Sequence, residues 1–170
     1  INRCLVGSEM CIRDSYDSEF QGNSIAYRYA SYSLDNLDVT VGNYYEQFGS
    51  GLVFRTYENK GLGVDNAMDG VRIKYNILNS IDIKSFIGTS RTYLEYSDGI
   101  VRGIDVETNL FELLALEKST NLILGSSFVS RFQKDNNPKF NLPQNVGVYG
   151  LRSNLISGNF NYYLEYVHKY

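Results

Sequence analysis

The sequence predicts an all-β fold, specifically an antiparallel up-and-down β-barrel. The composition favours strands, because the 170 residues include 15 tyrosines and 9 phenylalanines but only 2 prolines. From Ser24 onward, apolar and polar side chains alternate in about eight segments of roughly ten residues, as in barrel strands. Short and long links alternate between these segments, so neighbouring strands are expected to pair in chain order.

Charge and hydropathy exclude two classes of partner or fold. The formal net charge is -3 and the pI is about 5.2, with no basic stripe for a phosphate backbone, so we expect no nucleic-acid partner. No run approaches the ~18 consecutive apolar residues of a membrane-spanning helix. A membrane protein with this sequence would have to be a closed barrel, which pairs every backbone group in lipid.

The first residues differ in character from the rest of the chain. Both cysteines, Cys4 and Cys11, lie there, and the run from Cys4 to Ser15 resembles translated sequencing-adapter read-through. We therefore expect residues 1–15 to be a non-native segment and residues 16–170 to form part of a barrel. A disulfide or metal pair is the alternative, but two cysteines without a histidine or a second pair are a weak metal signal.

Several segments show the period-two alternation of strands clearly. They cover residues 37–46, 71–77, 81–88, 103–107, 122–129 and 160–166. The alternation predicts one set of side chains facing an apolar layer: Val39, Ile73, Ile83, Leu124 and Leu164. It predicts a second set facing inward: Asp82, Lys84 and Glu165. The run from Leu110 to Leu116 fits a strand end and a helical turn equally.

The links between segments indicate the type of barrel. Short links are predicted at 34–36, 79–80 and 154–158, and long ones at 49–70 and 133–144, with Ser97 to Gly99 as a hairpin tip. Outer-membrane barrels have short periplasmic turns and longer extracellular loops, whereas Greek-key sandwiches have no reason to alternate in this way. The last segment reaches Tyr170 without a turn signal, so we expect a fragment of a larger barrel.

Aromatic residues are placed as in membrane-interface girdles. Tyr45 and Tyr166 lie near the long-loop ends of their strands, and Tyr75 and Phe160 near the short-turn ends. This placement predicts an outer-membrane location in a Gram-negative bacterium, with lipid as a partner. Tyrosine is also a good strand residue in water, so a soluble, secreted β-sandwich that binds glycans is the alternative.

The segment 49–70 is too apolar for an ordinary exposed loop. Free in water it would expose Leu52, Val53 and Phe54, at a cost of ~25 cal/mol per Å². We therefore expect it to fold into the lumen, with glycines at the bends and a network of charges. The candidate residues are Glu46, Gly49, Gly51, Arg55, Glu58, Asp65, Asp69 and Arg72. A solvated surface loop is the alternative.

No catalytic, cofactor or metal site is predicted. Residues 49–51 read Gly-Ser-Gly but lack the Gly-Lys-Ser/Thr of a phosphate loop. His168 is the only histidine, and no Gly-x-Ser-x-Gly elbow accompanies it. The expected role is therefore that of a pore, a scaffold or a component of an envelope assembly, and not that of an enzyme.

One run resembles a known family. It contains Tyr-Glu-Gln-Phe-Gly-Ser-Gly-Leu at 45–52, Arg-Thr-Tyr-Glu at 55–58, Leu-Gly-Val-Asp-Asn at 62–66 and Asp-Gly-Val-Arg at 69–72. This pattern resembles a domain of unknown function in outer-membrane β-barrel proteins of Bacteroidota. The resemblance extends from Ser24 to the end and is similar to the N-terminal part of a larger barrel. It implies the fold and the location and offers no catalytic residues. Other envelope proteins are a further partner expected from the role of an envelope component.

Deleting residues 1–15 should leave the stability of the domain unchanged, because that segment is foreign in composition and carries the only cysteines. The measurement is the denaturation midpoint of the truncated and complete chains, each with and without reductant. A midpoint that falls on truncation, or a Cys4–Cys11 disulfide that protects the strands, would show that the segment belongs to the fold.

Overall fold

The computed structural model describes residues 25, 27–92, 95–114, 120–134 and 143–170, and the foreign-looking residues 1–15 lie outside these ranges. The described chain is almost entirely β-structure. Its strands are β1 (Tyr29–Leu34), β2 (Leu37–Tyr44), β3 (Gln47–Phe48), β4 (Phe54–Arg55), β5 (Glu58–Asn59), β6 (Val64–Asp65), β7 (Met68–Ile77), β8 (Ile81–Thr92), β9 (Glu95–Asn109), β10 (Thr120–Phe132), β11 (Asn145–Ser157) and β12 (Phe160–Lys169).

The long strands form one antiparallel sheet of eight strands, in the order β1-β2-β7-β8-β9-β10-β11-β12. Each long strand pairs with the next long strand in the chain, so the sheet is an up-and-down meander. This confirms the all-β, antiparallel part of the prediction. In the described part of the chain, β1 and β12 are the two edges of the sheet.

The links alternate in length only in part. Only two residues separate β8 from β9 on the side of the long links, and residues 110–119 separate β9 from β10 on the side of the tight turns. Tight turns join β1 to β2, β7 to β8 and β11 to β12, whereas residues 45–67 join β2 to β7 and residues 133–144 join β10 to β11. The long link 45–67 contains two small hairpins, formed by β3 with β4 and by β5 with β6.

The predicted hairpin tip from Ser97 to Gly99 is wrong. These residues lie inside β9, which begins at Glu95, and Glu95 pairs with Thr92 at the end of β8. Gly99 is a strand residue over which a neighbouring side chain lies, since a Cβ there would stand 2.8 Å from Nε of Arg131. From the sequence alone, a glycine that makes room for a neighbouring side chain within a strand cannot be told from a glycine in a turn.

The described part of the segment that the sequence left ambiguous contains a helical turn, α1 (Leu110–Leu113), between β9 and β10. It follows Asn109, whose backbone is extended. In the described ranges, no helix has the length and apolar character needed to span a membrane.

The two faces of the sheet differ in polarity. We call the face that carries Phe86, Asp105 and Arg152 the inner face, and the opposite one the outer face. Side chains alternate between them with period two. Asp105 is 0% exposed and Arg152 is 9% exposed, whereas Ile87 is 52% exposed on the outer face. Charged groups are therefore buried and apolar groups exposed, which is the reverse of a soluble sheet.

The strand register separates the two sets of side chains named from the sequence. The pairings of β8 to β12 place one set on the inner face, together with Asp105 and Arg152: Lys84, Asp82 and Glu165. The apolar set lies on the outer face: Val39, Ile73, Ile83, Leu124 and Leu164.

The sheet curls around the β3–β4 hairpin. Glu46, at its root, lies 2.8 Å from Nζ of Lys74 on β7. The amide of Ser50, at its tip, donates to the Glu165 carboxylate on β12 at 3.3 Å. In a flat sheet β7 and β12 would lie about 24 Å apart, at ~4.8 Å per strand. The same short hairpin also packs against a buried cluster from β2, β7, β8, β9 and β10, so it contacts almost the whole width of the inner face, as expected where that face is concave.

Candidate functional site

An apolar cluster seats the β3–β4 hairpin on the inner face. Phe48 is 0% exposed, and its ring lies 5.6 Å from that of Phe54 and 5.4 Å from that of Phe86. Phe54 and Phe86 stack at 4.4 Å. Gly103 makes room for this seat, because a Cβ there would lie 2.6 Å from the Phe86 ring and 3.1 Å from the Phe48 ring. Other members of the cluster come from the inner face: Tyr44, Met68, Val101 and Val129.

Ion pairs fix the root of the hairpin to β7. The Glu46 carboxylate, nearly buried, lies 2.8 Å from Nζ of Lys74 and 3.5 Å from Nη1 of Arg72. Arg72 also donates to Oδ1 of Asp38 at 3.2 Å and to Oγ1 of Thr40 at 2.9 Å. Because Glu46 lies two residues after the end of β2, these contacts turn the chain onto the inner face close to that end.

The tip of the hairpin reaches the far strands of the sheet. The Ser50 amide and the Tyr163 hydroxyl both donate to Oε2 of Glu165, at 3.3 and 2.6 Å. The side chain of Val53 packs over Gly150 of β11. The hairpin is thus held at both ends and at its centre, and it lies across the space inside the curled sheet.

A buried charge network lies below the hairpin, towards the short turns. Nη1 and Nη2 of Arg152 donate to the two carboxylate oxygens of Asp105 at 2.8 and 2.9 Å. Nη2 also donates to Glu107 at 2.9 Å and Nη1 to the Ser127 hydroxyl at 2.7 Å, while that hydroxyl donates to Asp105 at 2.6 Å. Gly125 leaves room for this network, because a Cβ there would overlap the Arg152 side chain.

A polar cavity of about 480 Å³ lies between the hairpin tip and the inner face. Its walls come from the hairpin and from the short-turn halves of β8 to β12. They include Ser50, Lys84, Glu107, Arg152, Asn154 and Tyr163. Donors, acceptors and one aromatic ring therefore face a common space, while the hairpin covers it from the long-link side.

A separate ion pair anchors the β5–β6 hairpin. Asp65 pairs with Arg91, which is 2% exposed near the end of β8. The Tyr45 hydroxyl donates to the same carboxylate at 2.9 Å. Burial and this hydrogen bond to Asp65 raise the pKa of the Tyr45 phenol. The phenol therefore remains a donor at neutral pH, and the second hairpin stays tied to the strand ends.

A family model for a family of unknown function, DUF6029, matches residues 12–170. The chain belongs to the DUF6029 family. The match includes residues 12–15, which the sequence expectation assigned to the foreign segment. Neither the curated proteins nor the solved structures contain a match to the chain.

The structure divides the eight candidate residues among separate groups. Glu46 and Arg72 meet each other and Lys74, which the sequence did not single out. Asp65 pairs with Arg91, another residue that the sequence did not single out. Asp69 pairs with the exposed Arg28 at 3.3 Å.

The remaining candidates belong to the hairpins themselves. Arg55 lies over the Tyr57 ring at 4.5 Å, and Glu58 lies 3.9 Å from Nζ of Lys60 at the surface. The two glycines adopt the left-handed backbone of tight turns: Gly49 with φ 52° and Gly51 with φ 96°. The structure thus brings Glu46 and Arg72 together but leaves Arg55 and Glu58 outside their group.

The strongest network was not predicted from the sequence. In the sequence, Asp105 and Glu107 are two acids on one strand face, and Arg152 lies 47 positions further along the chain than Asp105. A usable signal was the pair of strand glycines, Gly103 and Gly125, since glycine inside a strand often marks the close approach of another group.

Replacing Gly125 by Ala should destabilise the fold by ~1–3 kcal/mol, because the methyl group overlaps Arg152 and pushes it away from Asp105. The measurement is the free energy of unfolding. The matched control is Gly61→Ala, where the new methyl lies 3.4 Å from Asn59 Oδ1 in an exposed turn and should change little.

The assignment of that cost to Arg152 is tested by a double-mutant cycle. In an Arg152→Ala background, Gly125→Ala should cost almost nothing, because the overlapping side chain is gone. An undiminished cost in that background would show that Gly125 acts through its backbone and not through the network.

Proposed function

We propose that the chain forms part of the wall of an outer-membrane β-barrel whose lumen is occluded by the β3–β4 hairpin. The observation that carries the proposal is the reversed polarity of the sheet. The inner face buries the Asp105–Arg152 pair, and the outer face exposes side chains such as Leu164, at 54%. Transmembrane barrels alternate apolar side chains outward and polar side chains inward in this way.

The extent of the apolar outer face supports a lipid partner. Exposed large apolar side chains lie on every long strand: Tyr32, Val41, Ile73, Tyr75, Ile87, Ile100, Ile104, Leu124, Phe128, Tyr149, Leu151, Phe160, Tyr162, Leu164 and Tyr166. The largest apolar patch on a typical soluble monomer covers only ~300–600 Å². A mainly apolar face that extends over eight strands needs an apolar environment, which a lipid bilayer supplies.

Aromatic placement supports the same orientation. Tyr75 and Phe160 are exposed on the outer face near the short turns, and Tyr149 and Tyr166 lie on that face towards the long links. Rings at two levels match the girdles at the two headgroup layers. The resemblance of residues 44–70 to outer-membrane proteins of Bacteroidota supports the same location.

The contents of the lumen favour a barrel of more than eight strands. In lipid the edges β1 and β12 must be paired, because unpaired backbone groups there cost several kcal/mol each. An eight-stranded barrel has an interior just wide enough for its own side chains or for one small ligand. This interior also holds the β3–β4 hairpin and a cavity of about 480 Å³, so further strands are needed to close around it.

Replacing Leu151 by Arg should lower the free energy of unfolding in a bilayer by ~2–4 kcal/mol. Leu151 is 53% exposed on the outer face, near the middle of β11. The matched control is Leu62→Arg, 72% exposed in the turn between β5 and β6, which should change little. The measurement is the folding free energy of the intact protein in lipid vesicles.

The soluble sandwich makes the opposite prediction. An exposed leucine on a soluble sheet can become arginine with a change of only ~0.5 kcal/mol. Equal stability of the Leu151→Arg and Leu62→Arg variants, together with purification in buffer without detergent, would contradict the barrel and favour a secreted sandwich.

Replacing Phe48 by Ala should raise single-channel conductance, because the fully buried ring holds the hairpin in its seat. Loss of this ring should weaken the attachment of the hairpin to the inner face by ~3–5 kcal/mol. The measurement is conductance of the intact protein in planar bilayers, with deletion of residues 50–69 as the fully opened reference.

The matched control for this test is Leu52→Ala. Leu52 lies in the same hairpin but is 67% exposed, so its removal should leave the conductance unchanged. Identical conductance in the wild type, the Phe48→Ala variant and the deletion would show that the hairpin does not block the lumen.

A further inference from the structure

An arginine interrupts the apolar outer face. The register pairs Arg102 of β9 with Ile87 on one side and Ser130 on the other, and Ile100 and Ile104 are its neighbours along the strand. The side chain of Arg102 makes no hydrogen bond or ion pair with other residues of the described chain. Among the outward positions of β7 to β12 from 71 to 166 in the described chain, Arg102 is the one charged residue apart from Asp98 and Arg91, and Arg91 is paired with Asp65.

Arg102 lines an open groove of about 330 Å³ on the outer face. The other side chains that line it on this face are almost all apolar: Val71, Ile73, Ser85, Ile87, Ile104 and Phe128. Ile73, Ser85, Ile104 and Phe128 occupy the register row next to Arg102 on the side of the short turns. The groove therefore runs from a guanidinium into the apolar belt.

A cation at this place needs an anion. On the lipid face of a barrel, an arginine costs ~2–4 kcal/mol at the midplane and less near the interface. A guanidinium presents a planar fork of donors that matches a phosphate group. The hydroxyl of Ser85 faces the same groove and adds a second kind of donor. Charge complementarity thus selects an anionic group, and the groove selects an apolar chain attached to it.

We propose that this groove binds one anionic phospholipid, with its phosphate paired with Arg102 and an acyl chain lying over Ile104 towards the short turns. The proposal rests on the proposed membrane location. It places the headgroup on the long-link side of the belt. Arg102 then lies at a lipid headgroup and does not interrupt the belt as an unpaired charge.

The test compares lipids retained by the intact protein in nanodiscs made of phosphatidylcholine and phosphatidylglycerol. Native mass spectrometry should show one phosphatidylglycerol bound with about tenfold preference, as expected for a charge-assisted hydrogen bond. Arg102→Gln should abolish that preference. The matched control Arg55→Gln removes a positive charge from the hairpin and should keep it.

Other outcomes overturn the proposal at different levels. Equal retention of the two lipids by the wild type, or an unchanged preference in Arg102→Gln, would overturn the lipid site alone. Complete displacement by inorganic phosphate would show that the acyl chain contributes nothing, which also overturns it. Failure of the protein to enter nanodiscs would overturn the barrel, and with it this site.

Discussion

Asp105 is fully buried, and an ionised carboxylate is stable in such a place only when it is paired and hydrogen-bonded. Arg152 and Ser127 supply that pairing from two other strands. Because side chains alternate with period two, a slip of one residue in β9, β10 or β11 would move one partner to the outer face. The charge network therefore constrains the register of three strands at once.

That register also divides the inner face into two parts. Towards the long links, Phe86 and Gly103 form an apolar seat, and the hairpin places Phe48 in it. Towards the short turns, Arg152 and its acidic partners surround a polar cavity. The hairpin joins the two parts, because its root pairs with β7 and its tip reaches Glu165 on β12. Because side chains alternate along each strand, the same register that points the polar groups inward points the apolar side chains to the outer face.

Local patterns predicted much of the sheet. The alternation at 71–77 and 81–88 and the turn at 79–80 correspond to β7, β8 and their connection, because period two is a property of each strand by itself. Glycine was less informative. Gly99 signalled a turn but lies within β9, where the Arg131 side chain crosses it.

The candidate site was less predictable, because its contacts join distant parts of the chain. Arg152 and Asp105 are 47 positions apart, and Ser50 and Glu165 are 115 apart. The hairpin itself has strands of two residues, too short to show any periodicity. The sequence indicated that residues 49–70 are too apolar for water, but the partners of that segment depend on the curl of the sheet.

Spin labels placed along β8 test the central claim most directly, which is that one face of this sheet contacts lipid and the other contacts protein. The labels would occupy consecutive positions 82 to 85 in the intact protein, with Cys4 and Cys11 replaced by Ser. Molecular oxygen concentrates in lipid, so collision rates should be high at Ile83 and Ser85 and low at Asp82 and Lys84. Equal collision rates at all four positions, or a water-soluble nickel reagent reaching Ile83 more readily than Lys84, would contradict the account.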